Sequence, residues 1–131
     1  MTASPQAGLL VLRIVAASLI LIHGLYRVFS GGVDPFGQFL GAVGFPLGTP
    51  IAWTITVMEI VGSVALAAGF RIRLLSLYFA AELMMGIILV HLREGWFVVG
   101  GGRNGVEYSV LLVAIFLVQA WTGGGRQTDR T

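Results

Sequence analysis

The chain contains no cysteine. That excludes thiol or disulfide chemistry by its own side chains, thiolate metal sites, iron–sulfur clusters and c-type haem attachment. It also lacks lysine, so all eight positive side chains are arginines, read here as the codon bias of a GC-rich genome. Charge of either sign is scarce, at 11% of residues and a formal net +2. With no basic run to meet phosphates, nucleic acid is not a partner. What fills the chain instead is apolar: 56% of its 131 residues are hydrophobic and the mean hydropathy is +0.91. A soluble domain of this size could not hide that much from water, so the composition predicts an integral membrane protein whose first partner is the lipid bilayer.

A hydrocarbon core of ~30 Å needs about 20 mostly apolar residues per helix. Four runs qualify, at about 7–29, 51–69, 74–92 and 105–122. The fold class expected is therefore all-α, a membrane four-helix bundle forming one domain over 1–131. Asp34-Pro35, Pro46 and Pro50 break the first pair of spans, Gly69 to Arg73 makes a tight charged turn, and Gly100-Gly101-Gly102 with Asn104-Gly105 opens the last loop. The first run carries Arg13 in its apolar core and no small-x-small cleavage site follows, so it reads as a retained helix rather than a signal peptide. Between the first two spans, Asp34 can cap and Pro35 can start a short helix over about 34–44. Its Phe36, Phe39, Leu40 and Val43 follow helical spacing, which suits an element lying in the membrane interface or packed over the bundle mouth. The glycine-rich tail, 123–131, is expected to fray. Arg71, Arg73, Arg126 and Arg130 fall on the side of the termini, against Arg27, Arg93 and Arg103 opposite. The positive-inside rule then puts both termini in the cytoplasm of a bacterial or archaeal cell, in its inner membrane.

Within or at the ends of these runs sit Arg13, His23, Arg27, Glu59, Glu82, His91 and Glu107. A charge at mid-span costs ~2.5–3.5 kcal/mol on insertion scales, so such groups face the bundle interior, pair, or line a wet cavity. At about 100° per residue, Arg13, His23 and Arg27 share a sector of roughly 80° on the first helix. Glu82 and His91, nine residues apart, fall on opposite faces of the third unless that helix is kinked. His23, Arg27, His91 and Glu107 are expected at one level near the outer edge, with Glu59 near the middle of the second helix. The set reads as a polar pocket. Its structural alternative is a network in which Arg13 or Arg27 bridges Glu59 or Glu107 and each histidine is satisfied by a carbonyl. The small residues Gly62, Ser63, Ala65 and Ala67 read as helix-packing positions. A faint internal echo links LIHGLYRVFSGG, from Leu21, to LVHLREGWFVVGGG, from Leu89. Each is an apolar run ending in histidine, followed by a span that carries a glutamate.

In this order, R13-x9-HGLYR, PIAW before MEIVGSVALAAGFRIR, a third span ending in VH, then GxxNGVEYSVLLV and GGGR resemble the DoxX family of small four-helix membrane proteins, from about Leu9 to Arg126. The family pattern falls on Arg13, His23, Gly24 and Arg27, on Glu59, Gly62, Gly69 and Arg73, on His91, and on Gly105 and Glu107. Glu82 departs from it, at a position where the family usually carries an apolar or amide residue. The resemblance implies membrane subunits such as those of thiosulfate:quinone oxidoreductase, and links to membrane thiol and superoxide defence assemblies. Fold likeness alone does not transfer chemistry.

Three functions follow as expectations. The first is a membrane subunit of an oxidoreductase in which a quinone binds near the outer face. His23 or His91 would donate to its carbonyls, Arg27 would stabilise the developing anion, and Glu107 with Glu59 would relay protons, with Arg13, His23 and His91 as cofactor contacts. The second is a metal or b-type haem site held by the two histidines, with Glu107 as an oxygen ligand. The third is a non-catalytic scaffold contacting a protein partner or a second copy, through the third span near Glu82.

Overall fold

The computed structural model describes residues 2–123, and those residues are helical wherever they are regular. The expected tail lies outside the described residues from 124 onward. Five helices occur among the described residues: α1, Pro5–Phe29; α2, Val33–Ala42; α3, Gly48–Ala67; α4, Ile72–Glu94; and α5, Glu107–Thr122. α1, α3 and α4 are 25, 20 and 23 residues long and apolar enough to cross a membrane. α5 is equally apolar but has 16 residues, about 24 Å of helix against a ~30 Å hydrocarbon core. Large apolar side chains stay exposed along these helices, among them Val11, Ile22, Phe29, Val61, Leu74 and Trp121. Lipid accepts such a surface and water does not; the protein is a membrane protein.

Two helices depart from regular winding. Met58–Gly62 in α3 and Ile87–His91 in α4 are π-helical turns. Such a turn holds one extra residue and shifts everything beyond it by about 100° around the axis. In α4 it supplies the irregularity needed for Glu82 and His91 not to lie on opposite faces. Both turns hold an ionisable residue singled out above, Glu59 and His91.

The described residues form two compact units, 10–70 and 2–9 with 71–123. In the first, the buried stripe of α1 is Ala16, Ala17, Ile20 and Gly24. The short helix α2 forms as expected, but its cap differs. The N-cap is Gly32, with no side-chain cap, and Asp34 lies in the first turn, where its charge meets the positive end of the helix dipole. Val33 and Leu40 bury against Ala52 of α3, flanked by Phe36, Phe39, Phe45, Ile51 and Ile55. The two helices touch through backbone. A Cβ on Gly48 would stand 2.2 Å from the Gly37 carbonyl oxygen, a position only glycine can occupy.

In the second unit, α4 packs on α5 through Phe79 and Phe116, whose ring centroids are 5.6 Å apart, with Ser76, Ser109 and Leu112 buried alongside. Gln119 Nε2 donates to the Leu9 carbonyl at 2.7 Å, which ties the first turns of α1 to α5. The segment between α4 and α5 closes on itself. Gly105 N–H donates to Phe97 O, Val106 N–H to Gly95 O, and Glu107 N–H to Trp96 O.

Candidate functional site

The 10–70 unit carries one charged cluster, built by three helices. α1 ends its apolar run with Gly24 and, one turn later on the same face, Arg27. α3 presents Thr56 and Glu59, also one turn apart. Gly24 brings the two helices together, because a Cβ there would meet Glu59 Cβ and Ile60 Cγ1 at 3.0 Å. Helical side chains lean toward their own N-terminus, so Arg27 folds back along α1 to the level of Gly24 and reaches the carboxylate.

The contact is a fork. Arg27 Nη1 donates to Glu59 Oε2 at 2.5 Å and Nη2 donates to Oε1 at 3.4 Å. Nη1 also donates to Thr56 Oγ1 at 3.1 Å, whose own hydroxyl donates to the Ala52 carbonyl at 2.7 Å. Phe36 of α2 covers the guanidinium, with Arg27 Cζ 4.6 Å from its ring centroid. The side chains of Arg27 and Glu59 are 16% and 7% exposed. A charge so enclosed is tolerated only when paired and hydrogen-bonded, and planar two-point pairing is what guanidinium offers and ammonium does not. Of Arg27's five N–H donors, these contacts engage three. Nε–H and one Nη2–H take no acceptor among the described residues.

The other candidates of this unit stand apart from the pair. His23 lies at the edge of the α1 stripe, exposed, and makes no hydrogen bond among the described residues. Arg13 is partly buried, its Nε enclosed and unpaired among the described residues. Its guanidinium approaches the turn at Gly69, where a Cβ would stand 3.5 Å from Nη2.

In the other unit, two expected site residues hold the segment after α4. His91 Nδ1 lies 2.7 Å from the Asn104 carbonyl oxygen. Glu107 Oε1 accepts the Val98 N–H at 2.8 Å. Asn104 is in the left-handed region at φ 59°, a conformation asparagine tolerates better than most residues. Glu82 is partly buried on α4. Among the described residues, no three histidine, aspartate or glutamate side chains gather as a metal site would require.

The sequence reading missed Thr56, Phe36 and the backbone of Asn104. Thr56 had a signal, its i, i+3 relation to Glu59. Asn104 had one in the Asn-Gly pair, which favours left-handed backbone. Phe36 had none, since only packing brings α2 over Arg27.

Comparison with known proteins agrees with the motifs. The DoxX family model matches residues 8–92. A relative named "Putative oxidoreductase CatD", from Bacillus subtilis (strain 168), is 30% identical over 117 residues, covering 89% of this chain and 81% of that protein. No solved structure matches.

Proposed function

The chain belongs to the DoxX family, and on that footing we propose that it is a membrane subunit of an oxidoreductase assembly that binds a quinone. Support for the redox class comes from the name of the Bacillus subtilis relative. Support for the ligand comes from one observation above the rest, the Arg27–Glu59 fork with two guanidinium donors left over. A quinone in a bilayer offers carbonyl oxygens and little else that is polar. Arg27 supplies a fixed positive donor to such an oxygen, Glu59 and Thr56 hold the guanidinium in place, and Phe36 gives it an aromatic backing. Lacking cysteine, the chain depends on a partner or a bound cofactor for its electron donor.

In this reading α5 is the fourth crossing and both termini are cytoplasmic. Reporter fusions at the C-terminus and in the segment 95–106 test that topology. For the ligand, protein purified from native membranes is extracted and the extract chromatographed for quinones. A near-stoichiometric quinone, reduced several-fold in Arg27→Gln, is the expected result. A quinone-free preparation that also binds no added short-chain quinone refutes the reading.

One observation favours a scaffold instead. Glu59 and Glu107 are already engaged by protein donors, as in a purely structural network. Unchanged assembly and unchanged quinone-linked activity in Arg27→Met/Glu59→Leu would select that alternative.

A further inference from the structure

The sequence suggests a histidine that donates to a quinone carbonyl. The geometry around His91 reverses that role. A carbonyl oxygen only accepts, so at 2.7 Å from the Asn104 oxygen the proton of the neutral imidazole resides on Nδ1. Nε2 then carries a bare lone pair and can only accept. The orientation is built rather than incidental. His91 closes a π-helical turn, and the carbonyl it meets belongs to a residue at φ 59°. The next residue, Gly105, is pressed flat on the Trp96–Phe97 backbone, where a Cβ would meet the Trp96 carbonyl carbon at 2.4 Å, and its N–H is tied to Phe97 O at 3.1 Å. Two irregular backbone segments thus converge on one ring nitrogen and leave the other directed elsewhere, on a side chain that is only partly buried.

We propose that His91 Nε2, within its own unit, accepts the hydroxyl of a quinol, so that this protein binds a quinol in preference to the corresponding quinone. The proposal rests on the quinone reading above. A quinol hydroxyl donates to the lone pair, whereas a quinone carbonyl presented to it sets acceptor against acceptor. The preference expected is about tenfold, the size of one net hydrogen bond with its mismatch. A metal ion on Nε2 is the competing occupant, since a ring anchored by Nδ1–H to a carbonyl also suits a ligating histidine. It is disfavoured because no further histidine or carboxylate pair gathers around His91 among the described residues. Asn104 is a positioning residue and acts only through its backbone.

Two measurements on the full chain in lipid nanodiscs test this. The first is the imidazole nitrogen NMR spectrum of histidine-labelled protein. The chain has two histidines, and His91→Phe assigns the signals. The Nδ1–H tautomer is expected for His91 in the native protein and in Asn104→Gly, which keeps the left-handed backbone, and a mixed population in Asn104→Val, which strains it. An Nε2–H tautomer in the native protein overturns the proposal. The second is anaerobic calorimetric titration with a short-chain benzoquinone and with its quinol, against empty nanodiscs. Quinol binding about tenfold tighter, with the difference abolished in His91→Phe and in Asn104→Val, supports it. Equal affinity for the two forms, or a preference that survives His91→Phe, overturns it and leaves the quinone reading standing. Binding of neither form removes both. Stoichiometric zinc retained by the native protein as purified, lost in His91→Phe and accompanied by no quinol preference, assigns Nε2 to the metal and also overturns it.

Discussion

Glu59→Leu removes one half of the forked pair and leaves Arg27 enclosed, at 16% side-chain exposure. Breaking a buried pair on one side costs about 3–5 kcal/mol, because the surviving charge keeps its desolvation penalty without its partner. Here the guanidinium retains the Thr56 hydroxyl at 3.1 Å and the Phe36 ring at 4.6 Å, contacts of about 1 kcal/mol each. The loss should therefore fall near the lower end, about 3 kcal/mol. Replacing both partners by apolar residues of similar volume, Arg27→Met/Glu59→Leu, removes the stranded charge as well, and should bring stability back to within about 1 kcal/mol of the native protein. Reversible unfolding in mixed micelles of mild detergent and dodecyl sulfate, followed by tryptophan fluorescence, measures all four corners of the cycle. The argument fails if Glu59→Leu loses less than about 0.5 kcal/mol, the range of an ordinary surface substitution. It fails equally if the double variant loses as much as the two single variants together.

Arg27→Lys should behave as a loss rather than a conservative change, since an ammonium cannot span both carboxylate oxygens. Its stability in the same assay should lie closer to Arg27→Met than to the native protein. Gly24→Ala must push Glu59 Cβ and Ile60 back by a few tenths of an ångström from 3.0 Å, and about 1 kcal/mol is expected, rising to about 3 kcal/mol for Gly24→Leu. Gly48→Ala has no such room, with a backbone oxygen at 2.2 Å. It should detach α2 from α3, seen as fast amide exchange over residues 33–42. Glu107→Ala frees the Val98 N–H, and exchange at Val98 should accelerate with little change elsewhere; unchanged exchange there would show that the carboxylate does not hold the segment.

The helices were legible because a bilayer leaves few options for a backbone. Every N–H and C=O must be satisfied internally, so long apolar runs become helices, and prolines and glycines mark their ends. The runs at 7–29, 51–69 and 74–92 emerge as α1, α3 and α4 with ends displaced by a few residues. Of the face expected for α2, Phe36, Phe39 and Leu40 pack inward, whereas Val43 lies past the helix end and is exposed, and Asp34 does not cap it. The identity of the polar groups was equally legible, since a charge in an apolar run is costly wherever it ends up. Their partners were not. The echo between LIHGLYRVFSGG and LVHLREGWFVVGGG does not extend to contacts, because Glu59 pairs with Arg27 whereas Glu107 holds a backbone N–H.

By itself, then, the sequence determined membrane insertion, helix count and a short roster of ionisable groups, because each follows from transfer energies summed along a local stretch of chain. Tertiary structure alone decided which donor meets which acceptor. Arg27 meets Glu59, 32 residues further along the chain, because Gly24 admits a close approach of the two helices that carry them. Two π-helical turns, Met58–Gly62 and Ile87–His91, interrupt the regular period of their helices at Glu59 and His91. A left-handed Asn104 fixes which nitrogen of His91 holds the proton. Each of these is a matter of angle and of tenths of an ångström between segments distant in sequence, and no local period encodes it.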